Sequence, residues 1–79
     1  MSYARWSTSN WYAFDNANGM FSLWHCEYGN HPDLIYEDLR EHREAGTLTE
    51  MLRSTYLGVS DEDVAEGIEI IGRALEEAA

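Results

Sequence analysis

The spacing of hydrophobic positions changes character near Pro32. Before it the apolar residues are mostly aromatic: Tyr3, Trp6, Trp11, Tyr12, Phe14, Phe21, Trp24 and Tyr28. They fall in short runs separated by Ser7-Thr8-Ser9-Asn10 and Asn16-Ala17-Asn18-Gly19, the pattern of short strands joined by turns. Asn18-Gly19 is a hairpin signal, because both residues accept the positive φ of a type I′ turn. Strands are predicted near 3–6, 10–15 and 20–26. In the third, Phe21 and Leu23 share one face while Met20, Trp24 and Cys26 share the other. Both faces are partly apolar, so one is expected to pack on helices and the other to stay partly open or to be covered by a partner.

After Pro32 the period becomes helical. A first helix is predicted from Pro32 or Asp33 to Ala45, with proline in its first turn, Gly46 as its stop, and Ile35, Leu39 and His42 as its apolar stripe. Thr47-Leu48-Thr49-Glu50 has the form of a capping box. It opens a short second helix carrying Leu48, Met51, Leu52 and Tyr56 before Gly58. Ser60 caps a third helix whose first turn holds Asp61, Glu62 and Asp63. Val64, Ile68, Ile71 and Leu75 recur at i, i+4, i+7 and i+11, marking its buried face. The expected fold is a single α+β domain over residues 1–79: a short three-stranded antiparallel N-terminal sheet packed with about three C-terminal helices.

Composition narrows the function. At 79 residues the chain buries roughly 60% of its unfolded surface, leaving little stability to hold a strained, desolvated active site, so a non-enzymatic role is expected. An apolar content of 44% is too high for a disordered chain. No run approaches the ~20 apolar residues of a membrane span and no signal-peptide pattern opens the chain. One cysteine, Cys26, allows no internal disulfide, which fits a reducing compartment. A cytoplasmic location is the resulting expectation.

Charge changes the picture most. There are 15 acidic residues against 5 basic ones, all arginine. Residues 33–79 hold 13 acids and 4 arginines, a net −9, whereas residues 1–32 hold only Arg5, Asp15 and Glu27. Such a chain is repelled by phosphate backbones and anionic membranes, so neither nucleic acid nor membrane is an expected direct partner. A basic protein surface is. Glu37, Asp38, Glu41 and Glu44 on the first helix, and Asp61, Glu62, Glu66 and Glu69 on the third, form the candidate partner-binding set. Neighbouring carboxylates in such stripes stand about 5–6 Å apart, of the same order as nucleic-acid phosphates, whose duplex carries one charge per ~1.7 Å of axis. The alternative reading of the stripes is a solvated face that serves solubility.

Other chemistry is weaker. Cys26 with His25, His31 and His42 has the right donor types for zinc, but the spacing matches no zinc pattern, and neighbours 25 and 26 would face opposite sides of a strand. A Cys-His nucleophile pair needs an electropositive pocket, and the surrounding charge is negative. No catalytic residue, metal or cofactor is expected. A second binding mode is an apolar one, in which Trp6, Trp11 or Trp24 docks on a partner.

Three segments carry a resemblance: Ser2-Tyr3-Ala4-Arg5-Trp6-Ser7, Asn10-Trp11-Tyr12-Ala13-Phe14, and Leu39-Arg40-Glu41-His42-Arg43-Glu44-Ala45-Gly46. Over about a third of the chain these resemble small bacteriophage and mobile-element proteins. Members of that group often carry a cysteine cluster after the aromatic hairpin and a histidine after Ala-Gly. Here Trp24-His25-Cys26 and Thr47 stand in those places. Small size and strong acidity are also similar to anti-CRISPR proteins, several families of which block type I surveillance complexes by occupying DNA-binding surfaces. The resemblance implies an inhibitor in a host bacterial cell, and separately the net charge of −10 argues for a monomer unless a partner or a dimer covers the sheet. Its partner would be the basic DNA-contacting surface of a Cascade-type complex, and a zinc-stabilised phage regulator is the alternative.

Overall fold

The computed structural model describes residues 6–78. Four strands, β1 (Trp6–Ser7), β2 (Trp11–Ala17), β3 (Met20–His25) and β4 (Gly29–Ile35), precede three helices, α1 (Tyr36–Ala45), α2 (Leu48–Thr55) and α3 (Asp61–Ala78). The strands form one antiparallel meander in the order β1-β2-β3-β4. The α+β class and the three helices agree with the sequence pattern. The sheet has four strands and not three, and residues 3–5 of the first expected strand lie outside the described residues.

The additional strand corrects the start of the first helix. Gly29–Ile35 pairs with β3 where a helical first turn was expected around Pro32 and Asp33. The register jumps from Leu23↔His31 to Phe21↔Leu34, so Pro32 and Asp33 together lie opposite Ser22 in a bulge. An edge-strand bulge is where proline is tolerated in a sheet, because its missing N–H breaks no ladder bond. Proline also disfavours helical geometry in the residue before it. The helix therefore begins only at Tyr36, and Ile35 belongs to β4.

The β2–β3 turn forms as expected, with Asn18 and Gly19 at φ 54° and 77°. A second bulge leaves Asn16 as an extra residue between the pairs Asp15↔Phe21 and Ala17↔Met20, and its side-chain amide donates to the Ser22 hydroxyl. Ser60 Oγ accepts the Asp63 N–H at 3.2 Å, the predicted cap of α3. The capping box at Thr47 does not form. Thr47 Oγ1 is instead 2.7 Å from His42 Nδ1, tying the end of α1 to the start of α2.

All three helices pack on one face of the sheet. Trp6, Trp11, Ala13, Phe21 and Leu23 meet Leu39, Leu48, Leu52, Tyr56, Val64, Ile70, Ile71, Ala74 and Leu75 in one buried cluster, with Ile68 and Met51 at its edge. On α3 Val64, Ile71 and Leu75 of the expected stripe are buried and Ile68 only partly so, and Ile70 and Ala74 widen the buried face. Tyr36 takes the place on α1 that the sequence pattern gave to Ile35. Gly67 lets α3 lie close to the sheet: a Cβ there would stand 3.1 Å from both Leu52 Cδ1 and Trp11 Cζ2.

Candidate functional site

The acidic helices follow from simple geometry. At about 100° per residue, Glu37, Asp38, Glu41 and Glu44 occupy one sector of α1, facing away from the buried Tyr36 and Leu39. All four are exposed. The register of α1 is fixed by those two buried side chains, so the carboxylates have no route into the core. None of the four forms an ion pair or hydrogen bond among the described residues.

On α3 the predicted acids divide. Glu62 is exposed and forms no ion pair among the described residues, whereas Asp61 pairs with Arg53 of α2 and Glu69 with Arg73 at 3.0 Å. Glu66 is half-buried and accepts from Asn10 Nδ2 at 3.3 Å, which draws it off the outer stripe toward the sheet. Glu76 continues the outer line of Glu62 and Glu69 at seven-residue steps. The sequence contained that spacing, but Glu76 was not among the candidates. It stands 3.7 Å from Arg43 of α1. Arg40, Arg43, Glu44, Leu75 and Glu76 line one cleft of about 470 Å³, so α1 meets α3 through mixed charge. Glu62 lies some 14 residues earlier on α3, about 21 Å along its axis at 1.5 Å per residue. The strongest uncompensated charge is therefore the α1 sector.

The groove between α1 and α2 borders that sector. A depression of about 360 Å³ beside it is lined by Asp38, Glu41, His42 and Ala45 of α1 together with Thr47. The groove itself, about 170 Å³, shares Asp38 and His42 with that depression and has Leu34, Ile35, Leu39, Met51 and Thr55 as its other walls.

His25, one of the candidate zinc donors, is structural. It is 2% exposed, with Nε2 2.7 Å from Asp63 Oδ2, while Nδ1 accepts the backbone N–H groups of Glu27 at 3.1 Å and Tyr28 at 3.4 Å. An Nδ1 that accepts leaves the proton on Nε2, so the neutral ring donates to Asp63. Asp63 Oδ1 also accepts from Asn10 at 3.0 Å, and its backbone carbonyl accepts from Trp11 Nε1 at 2.7 Å. This network bolts the start of α3 to the end of the sheet. Asp63 was read from sequence only as a first-turn charge. Cys26 is exposed in the turn beyond β3. Among the described residues no group of three His, Cys, Asp or Glu side chains is placed to hold a metal ion.

The apolar docking reading needs correction. Trp6 and Trp11 are 5% and 1% exposed and belong to the core, so neither is available to a partner. They face the helices because Trp6 pairs with Ala13 and Trp11 with His25 across the ladder, on the face shared with Leu23 and Phe21. The opposite face carries Tyr12 and the half-buried Trp24 stacked at 5.8 Å with planes 5° apart, beside the half-buried Phe14. No described helix is long and apolar enough to cross a membrane. Comparison of the chain with protein-family models, with curated proteins and with solved structures returns no match.

Proposed function

We propose that this chain is a non-enzymatic binding protein that occupies a basic, nucleic-acid-binding surface of another protein by presenting carboxylates in place of phosphates. The observation that carries this reading is the α1 sector: Glu37, Asp38, Glu41 and Glu44 are exposed together on ten residues of helix and are paired with no cation among the described residues. Like charges at i, i+4 cost a helix about 0.2–0.5 kcal/mol per pair, a cost that binding to a cationic surface reverses. Glu62, with Asp61 and Glu69 released from their exposed arginine pairs, supplies a second set on α3. Such exposed pairs are worth only ~0–1 kcal/mol, so a competing cationic surface displaces them readily.

The partner consistent with the phage-like segments is the DNA-contacting surface of a type I Cascade complex, and the function is then inhibition of target binding. The test is titration of this protein against purified Cascade, following target-duplex binding at two salt concentrations. Loss of duplex binding that weakens as salt rises, and that disappears on charge reversal at Glu37, Glu41, Glu62 and Glu69, supports the reading. No effect at either salt removes that complex as the partner, and insensitivity to the reversals removes charge mimicry. A second reading, apolar docking, is now supported only by the open sheet face. It predicts binding that is insensitive to salt and lost on Trp24→Ala or Tyr12→Ala.

A further inference from the structure

The side of the sheet away from the helices is not the polar surface that an antiparallel sheet ordinarily turns to water. Its outward positions on β2 and β3 are Tyr12, Phe14, Met20, Ser22 and Trp24. Tyr12 is 43% exposed, and Phe14, Met20 and Trp24 are half-buried. The one hydroxyl without a ring, that of Ser22, is already taken by Asn16. The Trp24 Nε1–H is shielded from water and has no acceptor among the described residues, although a buried indole N–H ordinarily has one. None of these positions is Asp, Glu, Lys or Arg, in a chain whose net charge is −10. We infer that this face is a contact between two copies of the chain, which meet sheet to sheet as a weak twofold dimer. The inference is independent of the acidic-binding reading above.

Charge chooses the occupant. A basic partner, drawn to α1, meets no carboxylate at these positions of β2 and β3, and an acidic one is repelled by the chain as a whole. A second copy brings the same uncharged aromatic surface. A twofold contact sets a patch against itself, so an uncharged patch is self-complementary where an acidic one is not. The contact also turns both helix layers outward. With packed sheets about 10 Å apart and a helix layer beyond each, the two α1 sectors stand roughly 30 Å apart, more than three Debye lengths at 0.15 M salt. The repulsion that argues for a monomer is thus largely screened. Area sets the strength. Strands of six or seven residues are about 20–23 Å long and four of them about 14 Å across, an outline of roughly 300 Å². A standard interface takes about 800 Å² from each partner, so the dimer is a weak, reversible one.

The experiment is sedimentation equilibrium of the full chain from about 5 to about 500 µM, at low and at high salt. The mass is expected to rise from monomer to dimer with a Kd on the order of 100 µM. Association is expected to tighten as salt rises, because salt screens the repulsion between copies. Binding to a basic surface weakens with salt, so the two readings fail separately. Tyr12→Glu places a carboxylate from each copy in the contact and is expected to weaken the dimer at least tenfold. Tyr12→Thr keeps a strand-favouring residue, removes the ring from both copies and is expected to weaken it about tenfold. Thr49→Glu adds the same charge at an exposed position of α2 and is expected to change the Kd less than about twofold. A cooperative urea transition confirms that each variant is folded. A chain that stays monomeric at the highest concentration in both salts overturns the inference and leaves the face to an unrelated apolar partner. A dimer that both Tyr12 variants leave intact, or that salt dissociates, also overturns it, since the copies then meet elsewhere.

Discussion

Gly67 tests how closely α3 is held against the sheet. Gly67→Ala introduces two opposed effects. Alanine in a helix interior is favoured over glycine by about 1 kcal/mol. Against that, the new Cβ would stand 3.1 Å from Leu52 Cδ1, 3.1 Å from Trp11 Cζ2 and 3.2 Å from Trp11 Cε2. Comfortable carbon contacts are about 3.5–4.0 Å, so each neighbour must retreat by roughly half an ångström. Leu52 can rotate at some cost. The Trp11 indole cannot easily move, because Nε1 bonds the Asp63 carbonyl at 2.7 Å and the ring is held edge-on against His25 and Tyr56. Overpacking of this kind costs about 1–3 kcal/mol, and it therefore outweighs the helix gain. A net destabilisation of about 1 kcal/mol is expected, lowering Tm by about 4–8 °C for a domain of this size. Gly72 lies on the same helix, but a Cβ added there would meet nothing within 4 Å, so Gly72→Ala is expected to gain about 0.5–1 kcal/mol. Thermal unfolding followed by far-ultraviolet circular dichroism compares the two directly. If Gly67→Ala stabilises as much as Gly72→Ala, α3 does not approach Trp11 as described.

Two further outcomes follow from the core. Asp63→Ala leaves the buried His25 Nε2–H without its acceptor and removes one acceptor from Asn10; a loss of about 2–3 kcal/mol is expected in urea unfolding, and a variant within about 0.5 kcal/mol of the parent would contradict the network. Trp24 is the most exposed of the three tryptophans, so Trp24→Phe is expected to shift the remaining emission to the blue and to reduce acrylamide quenching, whereas a red shift would place Trp6 or Trp11 in water.

Much of the helical half could be read directly from residue types. Val64, Ile71 and Leu75 repeat with the period that buries one helix face, and Ser60 before three acids is a cap whose hydrogen bond needs only local geometry. Asn18-Gly19 likewise carries its turn in its own φ preferences. The exposure of Glu37, Asp38, Glu41 and Glu44 was legible too, since Leu39 sets the buried side of α1 and the helical period places the acids opposite. These features depend on residues within a turn or two of one another, and that is the range over which sequence determines conformation unaided.

What only the tertiary structure decided depends on distant partners. Pro32 satisfies a first helical turn and an edge-strand bulge equally well, and β3 lying alongside selects the bulge. Aromatic residues occur on both faces of β2, so period alone does not say which are buried; the helices cover the face with Trp11 and Ala13 and leave Tyr12 open. Asp63 is an ordinary first-turn acid until His25, 38 residues earlier, is brought to it. The Thr47 hydroxyl suits a cap on its own helix, but it meets His42 Nδ1 of α1 instead. In each case local preference was balanced between two outcomes, and burial or a long-range hydrogen bond chose one.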